Sequence, residues 1–417
     1  MTAGIIRASL NSGTISKLLI VVTGLLTLLL VILERQNKLR FPFLPAFVAL
    51  VLVTFLPSFF SSTVSTWLSL FLPVFVGYST YLIIINHRFT ENEYKNISKF
   101  MFITMLMQIV ASIMKVVFWG VYEKSAGTIH FLAGGLNTIL PLVFIAIVIS
   151  LYLIYKRSSF FLFLVPGFLF MAWAGDKRGI YFYLPVVSIV MYTLYSMYER
   201  GKLDFSFYAR TFFFVIIPVM IIFYFGVRLQ PTLNRENIFW GSFDIDYVMD
   251  YASDYSTRYN AENQASGRFA SYIEIIDNFM NNKDVDQLFF GYGSSSVIGV
   301  TEEEFRFFKN TFNVSQTLGL SGFTTYLIAH GILGVSLLMI FLGSIIKRTF
   351  KIHKAIVHDK MQRALNFGTL IVSIIYLMDF FTYSKSTITV YGTMVIFFYL
   401  HGTNHRYVIN QVSRRVK

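Results

Sequence analysis

Cysteine is missing from all 417 residues, so disulfides and thiolate metal sites are excluded and the redox compartment is not readable from the chain. Charge is scarce as well. Only 14% of residues are charged, against about a quarter in a soluble globular chain, which does not fit a water-soluble domain of this length. Histidine is limited to seven residues. They read as scattered, with no pair at metal-ligating spacing, and this argues against a zinc centre. No repeat of fixed period and no low-complexity tract is present. No small-residue cleavage site follows the first apolar run, 18–33, and the run is long for a signal peptide, so it is expected to remain as a span.

What the chain has instead is apolar and aromatic. Hydrophobic residues make up 55%, the mean hydropathy is +0.61, and there are 45 Phe and 25 Tyr. This is the composition of lipid-facing helices with aromatic belts at the interfaces. A span needs about 20 mostly apolar residues. About eleven such stretches (10–12 allowing for the short ones) are expected, near 14–33, 41–60, 63–86, 100–122, 131–155, 160–175, 180–198, 211–227, 323–346, 364–383 and 387–400. The expected fold is therefore an all-α integral membrane protein in three parts. Helices occupy 1–227, a large polar segment 228–322, and further helices with a tail from His401 occupy 323–417.

The net charge of +13 would suggest a nucleic-acid partner in a soluble chain. Its distribution excludes that here. The polar segment holds seven Lys/Arg and thirteen Asp/Glu and is acidic. The basic excess sits in short alternate loops between spans, the arrangement of the positive-inside rule. That set of loops is then cytoplasmic, and the polar segment and the turn Asp176-Lys177-Arg178-Gly179 face outward.

Two cations stand where local rules disfavour them. Arg178, with Lys177 beside it, lies at the mouth of the span that begins at Ile180. Arg268 lies in the first turn of an expected amphipathic helix, capped by Ser266 or Gly267. In that helix Phe269, Tyr272, Ile273, Ile276, Phe279 and Met280 share one face, with Glu274, Asp277 and Asn278 turned away. Such a helix would rest on the membrane surface, apolar face down. A cation at a helix N-terminus costs a few tenths to about 1 kcal/mol. A docked anion reverses the sign, because helix N-termini and guanidinium groups both bind phosphate. The plainer alternative is that each arginine pairs with an acid of the polar segment or with lipid headgroups.

These residues resemble the O-antigen polymerase and O-antigen ligase superfamily of bacterial membrane glycosyltransferases. The resemblance is carried by Asp176-Lys177-Arg178-Gly179 before a span, Arg268 with Tyr272, Gly291-Tyr292-Gly293, and Gly331-Ile332-Leu333-Gly334 after the polar segment, in that order over about residues 170–345. It implies a GT-C-like membrane fold in the bacterial cytoplasmic membrane with the large loop outside. The implied reaction transfers a growing glycan from undecaprenyl pyrophosphate to a lipid-linked repeat unit, and the implied partners are that lipid-linked oligosaccharide, membrane lipid and a chain-length-determining protein. One feature departs from the ligase branch. The His-Asn run that usually precedes the last motif is absent, and His330 stands directly before it instead. This favours polymerase over ligase.

The leaving pyrophosphate gains charge as the glycosidic bond breaks, so catalysis calls for preorganised positive charge. Arg178 and Arg268 are the candidates, with Lys177 and Arg258 as helpers, and no metal or other cofactor is expected. Asp244-Ile245-Asp246 matches a metal-binding pair by letter only and reads as solvated. Candidates for a general base are His330, Glu274 and Asp277. Tyr292 either stacks on a sugar ring or belongs to an ordinary glycine turn. A flippase or transporter is the rival from another class, with Lys115 and Asp379 as its ionisable residues inside spans. A reporter enzyme that works only outside the cytoplasm, fused after Ser266, is expected to be active. A fusion active only in the cytoplasm would reverse the topology.

Overall fold

The computed structural model describes residues 39–60, 64–87, 90–121, 125–128, 135–155, 160–200, 205–257, 259–260, 265–266, 268–281, 284–297, 317–318, 320–353, 356, 359–382 and 386–415, with Val22 and Leu29 in isolation. Most of the first expected span, together with Arg258 and Gly267, lies outside the described residues. What is described is almost wholly helical. Six helices are long and apolar enough to cross a membrane, and three shorter apolar helices accompany them among the described residues. The chain is thus an α-helical, membrane-embedded protein, and helices occupy ten of the eleven expected positions.

The chain divides into two compact units. Unit 2, Glu91–Asp254, holds α3 (Glu91–Trp119), α4 (Leu136–Ser150, continued by a π turn Leu151–Tyr155), α5 (Phe160–Ala174), α6 (Gly179–Arg200), α7 (Phe205–Leu229) and most of α8 (Ile245–Thr257). Unit 1, Met1–Thr90 with Tyr255–Lys417, holds α1 (Leu44–Phe60), α2 (Val64–Asn86), α9 (Arg268–Asn281), α10 (Val285–Phe290), α11 (Gly322–Ile352), α12 (Lys360–Thr382), α13 (Ser386–Thr389) and α14 (Tyr391–Arg415). It also holds a three-stranded patch of two-residue strands. β2 (Ala265–Ser266) pairs antiparallel with β1 (Tyr259–Asn260) and parallel with β3 (Thr317–Leu318). Proline lies inside α1, α2, α4, α5, α6 and α7. Spanning helices tolerate it where neighbours answer the freed backbone groups.

Small residues set the closest approach in unit 1. A Cβ on Gly77 of α2 would strike the Phe398 ring of α14, and one on Gly402 of α14 would lie 3.3 Å from Ile84 of α2. Glycine at such contacts lets two helices meet nearly backbone to backbone. Around that contact Phe47, Tyr78, Phe341 and Phe398 form a ring cluster with centroids 4.4–6.3 Å apart.

The last helix runs beyond the last expected span. The tail read as cytoplasmic from His401 is helix through Arg415, and His401, Asn404, His405 and Arg406 are buried. Polar letters end an apolar run on paper, but inside a bundle they can be answered by polar groups on neighbouring helices.

α11 is broken. It starts at a capping box, where Thr324 N donates to Ser321 Oγ (3.2 Å) and Ser321 N to Thr324 Oγ1 (2.9 Å). Gly331 then leaves helical space at φ 62, ψ −168. In an unbroken helix the carbonyls of Ile328 and Ala329 would be answered by residues 332 and 333. Here Tyr292 N donates to Ile328 O (2.8 Å) and Gly293 N to Ala329 O (3.0 Å). The two backbones approach so closely that a Cβ on Gly291 (φ 78) would lie 2.5 Å from His330 N, and one on Gly331 would overlap the Phe289 carbonyl. Alanine at Gly331 or Gly291 is expected to cost at least about 1–3 kcal/mol from backbone strain alone. Thermal unfolding in detergent checks this. A Gly343→Ala control, at a position open to added volume, is expected to be neutral.

Candidate functional site

In unit 1 the G-Y-G turn is built to dock. Asp284 caps α10, its side chain accepting from Asp286 N at 3.2 Å. The helix ends at Gly291, whose positive φ turns the chain onto the break in α11. Beyond it Ser294 meets α1: its N and Oγ lie 3.5 and 3.3 Å from Ser58 Oγ. Ser296 Oγ closes the turn on Gly293 O at 2.6 Å. The glycines of both motifs therefore serve one backbone-to-backbone contact. Tyr292 is half-buried, with its ring edge-on to Phe279 at 5.7 Å.

His330 occupies the break itself. It is fully buried, its ring 5.2 Å from that of Tyr326. Neither ring nitrogen, nor the Tyr326 hydroxyl, has a hydrogen-bond partner among the described residues. Buried polar atoms without partners cost about 1–3 kcal/mol each.

Arg268 opens α9, as expected, but the buried face of that helix differs from the expected one. Ser271, Ile275 and Phe279 are buried, while Phe269, Ile273 and Met280 are more than half exposed. The 3.6-residue spacing predicts one apolar face. The helix has two, because the inner one packs on protein: Tyr272 stacks on Phe323 at 5.5 Å, and Phe279 meets Tyr292. Ser266 belongs to a strand pairing. Glu274 is half-buried, and burial raises its carboxyl above the ordinary 4.5. Asp277, the other carboxylate base candidate of α9, is exposed.

Unit 2 positions Arg178. α5 ends in a Schellman turn, with Asp176 N donating to Trp173 O (2.9 Å) and Lys177 N to Ala172 O (3.3 Å). Asp176 takes the left-handed position, φ 51, usually given to glycine. Its carboxylate is held by Gln230 Nε2, and Trp173 Nε1 donates to Leu229 O at 3.3 Å. The turn is thereby tied to the start of the polar segment. The Arg178 guanidinium lies 4.9 Å from the centre of the Tyr251 ring of α8. A cation over a ring face keeps its charge while one side is covered. Lys177 beside it is part-exposed. In the Asp244-Ile245-Asp246 pair, Asp244 is structural. It accepts from Tyr247 N (3.1 Å) as the cap of α8 and pairs with Arg235 (2.9 Å).

Arg268, Tyr292 and His330 thus belong to one unit, and Arg178 and Lys177 to the other. No known family model matches the chain, and no curated protein does. The family resemblance therefore stands on the four motifs alone.

The histidines are not all scattered, contrary to the expectation from their spacing. His401 and His405 are four residues apart on one face of α14. The signal was in the sequence, as His401-Gly402-Thr403-Asn404-His405, but lay beyond the expected end of the last span. Their partners Tyr81, Thr349 and Ser373 come from three other helices and carry no spacing signal.

For Glu274 the sign follows from the raised carboxyl. The charged form is disfavoured in the fold, so the penalty is absent below about pH 4.5 and is complete once the pH passes the folded value. Glu274→Gln is expected to unfold at a higher temperature than the parent at neutral pH, the difference vanishing towards pH 4. A constant difference across that range would count against the assignment.

Proposed function

We propose that the protein is a polysaccharide repeat-unit polymerase of the bacterial cytoplasmic membrane, acting at its outer face on undecaprenyl-pyrophosphate-linked oligosaccharides. The observation that carries this reading is the joining of three motifs in unit 1. The G-Y-G turn bonds to the break at Gly331, and the helix opened by Arg268 packs on the same turn through Phe279 and Tyr292. Three of the four motifs that carry the resemblance are therefore joined within unit 1, as a preorganised site requires.

In this reading Arg268 supplies positive charge to a pyrophosphate that becomes more negative as the glycosidic bond breaks. Arg178, held at a helix start against Tyr251, is assigned the same kind of anion. Lys177 and Arg258 assist. Glu274, with its raised carboxyl, is the preferred base for the acceptor hydroxyl, because a base works best when its pKa approaches the working pH. His330 is buried in this conformation and comes second. The exposed Phe269, Ile273 and Met280 of α9 supply the surface that meets lipid. Transfer needs no metal in this scheme.

A flippase is the second reading, favoured by the break in α11, since discontinuous helices carry substrate sites in many transporters. A ligase of the same superfamily is the third. A deletion strain separates them on a gel of surface glycolipid. Loss of a polymerase leaves single repeat units in place of a ladder, loss of a ligase leaves polymer on its carrier, and loss of a flippase leaves nothing outside. Arg268→Ala and Arg178→Ala, each tested alone, are expected to lower polymerisation by about 10- to 100-fold, the loss of a charge-assisted contact of about 1.5–3 kcal/mol. The variants should still reach the membrane. A normal ladder would remove that arginine from the site.

A further inference from the structure

Four helices of unit 1 are joined by one line of buried side-chain hydrogen bonds. Tyr81 Oη of α2 lies 2.6 Å from His405 Nδ1, and His405 Nε2 lies 2.9 Å from Thr349 Oγ1 of α11. Thr349 Oγ1 lies 2.5 Å from His401 Nδ1, and His401 Nε2 lies 3.0 Å from Ser373 Oγ of α12. All five residues are buried.

The ends of the line determine its direction. Ser373 Oγ also lies 2.8 Å from the Thr369 carbonyl, which can only accept, so the hydroxyl proton goes there. Ser373 Oγ is then free to accept from His401 Nε2–H. A neutral His401 leaves a lone pair on Nδ1, which takes the Thr349 proton. Thr349 Oγ1 in turn accepts from His405 Nε2–H, and His405 Nδ1 accepts from the Tyr81 hydroxyl. In the opposite direction the Tyr81 proton would have no acceptor among the described residues. One arrangement therefore satisfies every donor and every ring nitrogen, with both imidazoles neutral and protonated on Nε2.

That arrangement has one point where a further proton can enter. Thr349 Oγ1 also stands 3.3 Å from Ile345 O. We propose that His401 is a proton-binding site and that Thr349 is the rotor that admits the proton. A proton from water adds to the Nδ1 lone pair of His401. The Thr349 hydroxyl turns its own proton to Ile345 O, and its oxygen accepts from both His401 Nδ1–H and His405 Nε2–H. One N–H bond forms, no covalent bond breaks, and the chain gains one positive charge. His405 has no such outlet, because its Nδ1 is engaged by a Tyr81 hydroxyl that has no other acceptor among the described residues.

The surroundings distinguish the two rings and make His405 the harder one to charge. From α2 the ionisable group facing the line is Tyr81, and from α11 it is Arg348, whose charge acts on Tyr81 and His405 and opposes a second charge at that end. From α12 the bonded side chains are neutral: Asn366 donates to Thr349 O, Thr369 accepts from Asn404, and Ser373 ends the line. Asp379, further along α12, acts on Tyr376. α13 has no ionisable residue. On α14 itself Arg406 donates to Ile85 O at 2.9 Å.

The test uses the full-length protein, 15N-labelled at histidine, in lipid vesicles, with signals assigned by His401→Gln and His405→Gln. At about pH 7.5 both rings should show the neutral Nε2–H pattern. On acidification His401, fully buried, should gain its second proton below the ordinary histidine range, while His405 stays neutral. Thr349→Val, which keeps the shape and removes the rotor, should lower the His401 midpoint by at least about one pH unit, and Thr349→Ser should restore it. An Nδ1–H tautomer, a charged ring at pH 7.5, titration of His405 first or unfolding before His401 titrates would overturn the proposal on the parent protein alone. So would an unchanged midpoint in Thr349→Val.

Discussion

A broken helix in an apolar setting leaves carbonyl groups that water does not reach, and each unanswered group there costs several kcal/mol. Two backbone donors, Tyr292 N and Gly293 N, meet that demand at Ile328 and Ala329 of α11. Much of unit 1 follows from this contact. The donors must come within hydrogen-bond reach of a helix backbone, so side chains are excluded on both sides, and glycine stands at 291 and 331. The turn that brings them must be anchored, and Asp284, Ser58 and Ser296 do so. Once the turn is set, Tyr292 presents its ring to Phe279, and α9 has a place to pack.

Polar groups inside unit 1 are treated in two ways. Along α14 one line of hydrogen bonds joins Tyr81, Thr349 and Ser373 to the two histidines. At the break in α11, His330 and Tyr326 are buried with polar atoms that have no partner among the described residues. Satisfied networks rigidify a bundle, whereas unsatisfied buried groups persist where some other requirement opposes stability. The same unit thus contains a polar seam that holds helices together and a strained break beside the motifs of the proposed site. In unit 2 the corresponding economy is local. The Schellman turn at Asp176, the Gln230 contact and the Tyr251 ring place Arg178 at the start of α6 with few residues.

The helices were legible because apolar length is a one-dimensional property: a run such as 63–86 or 323–346 announces itself without any partner. Apolar length does not mark where the last helix ends. A run of Gly, Thr, Asn, His and Arg ends a span by composition, yet α14 continues because other helices supply partners for those side chains. The α9 helix was legible as amphipathic from its 3.6-residue spacing. Its buried stripe was not, since it depends on the rings that Phe323 of α11 and Tyr292 present to Tyr272 and Phe279. Asp244 was visible as one of a carboxylate pair, but its role as a helix cap depends on where α8 begins.

By itself the sequence determined that the chain is helical and membrane-embedded, that one large acidic segment interrupts it, and that cations stand at two helix starts. Those properties depend on composition and on neighbours within a few residues. Only the tertiary structure decided that Gly291-Tyr292-Gly293 and Gly331-Ile332-Leu333-Gly334 are two halves of one contact, and that His401 and His405 share a threonine. Hydrogen bonds between groups far apart in the chain, such as Tyr292 to Ile328 or Tyr81 to His405, leave no periodic trace in it. Their partners become neighbours only after the helices have packed and water has been excluded.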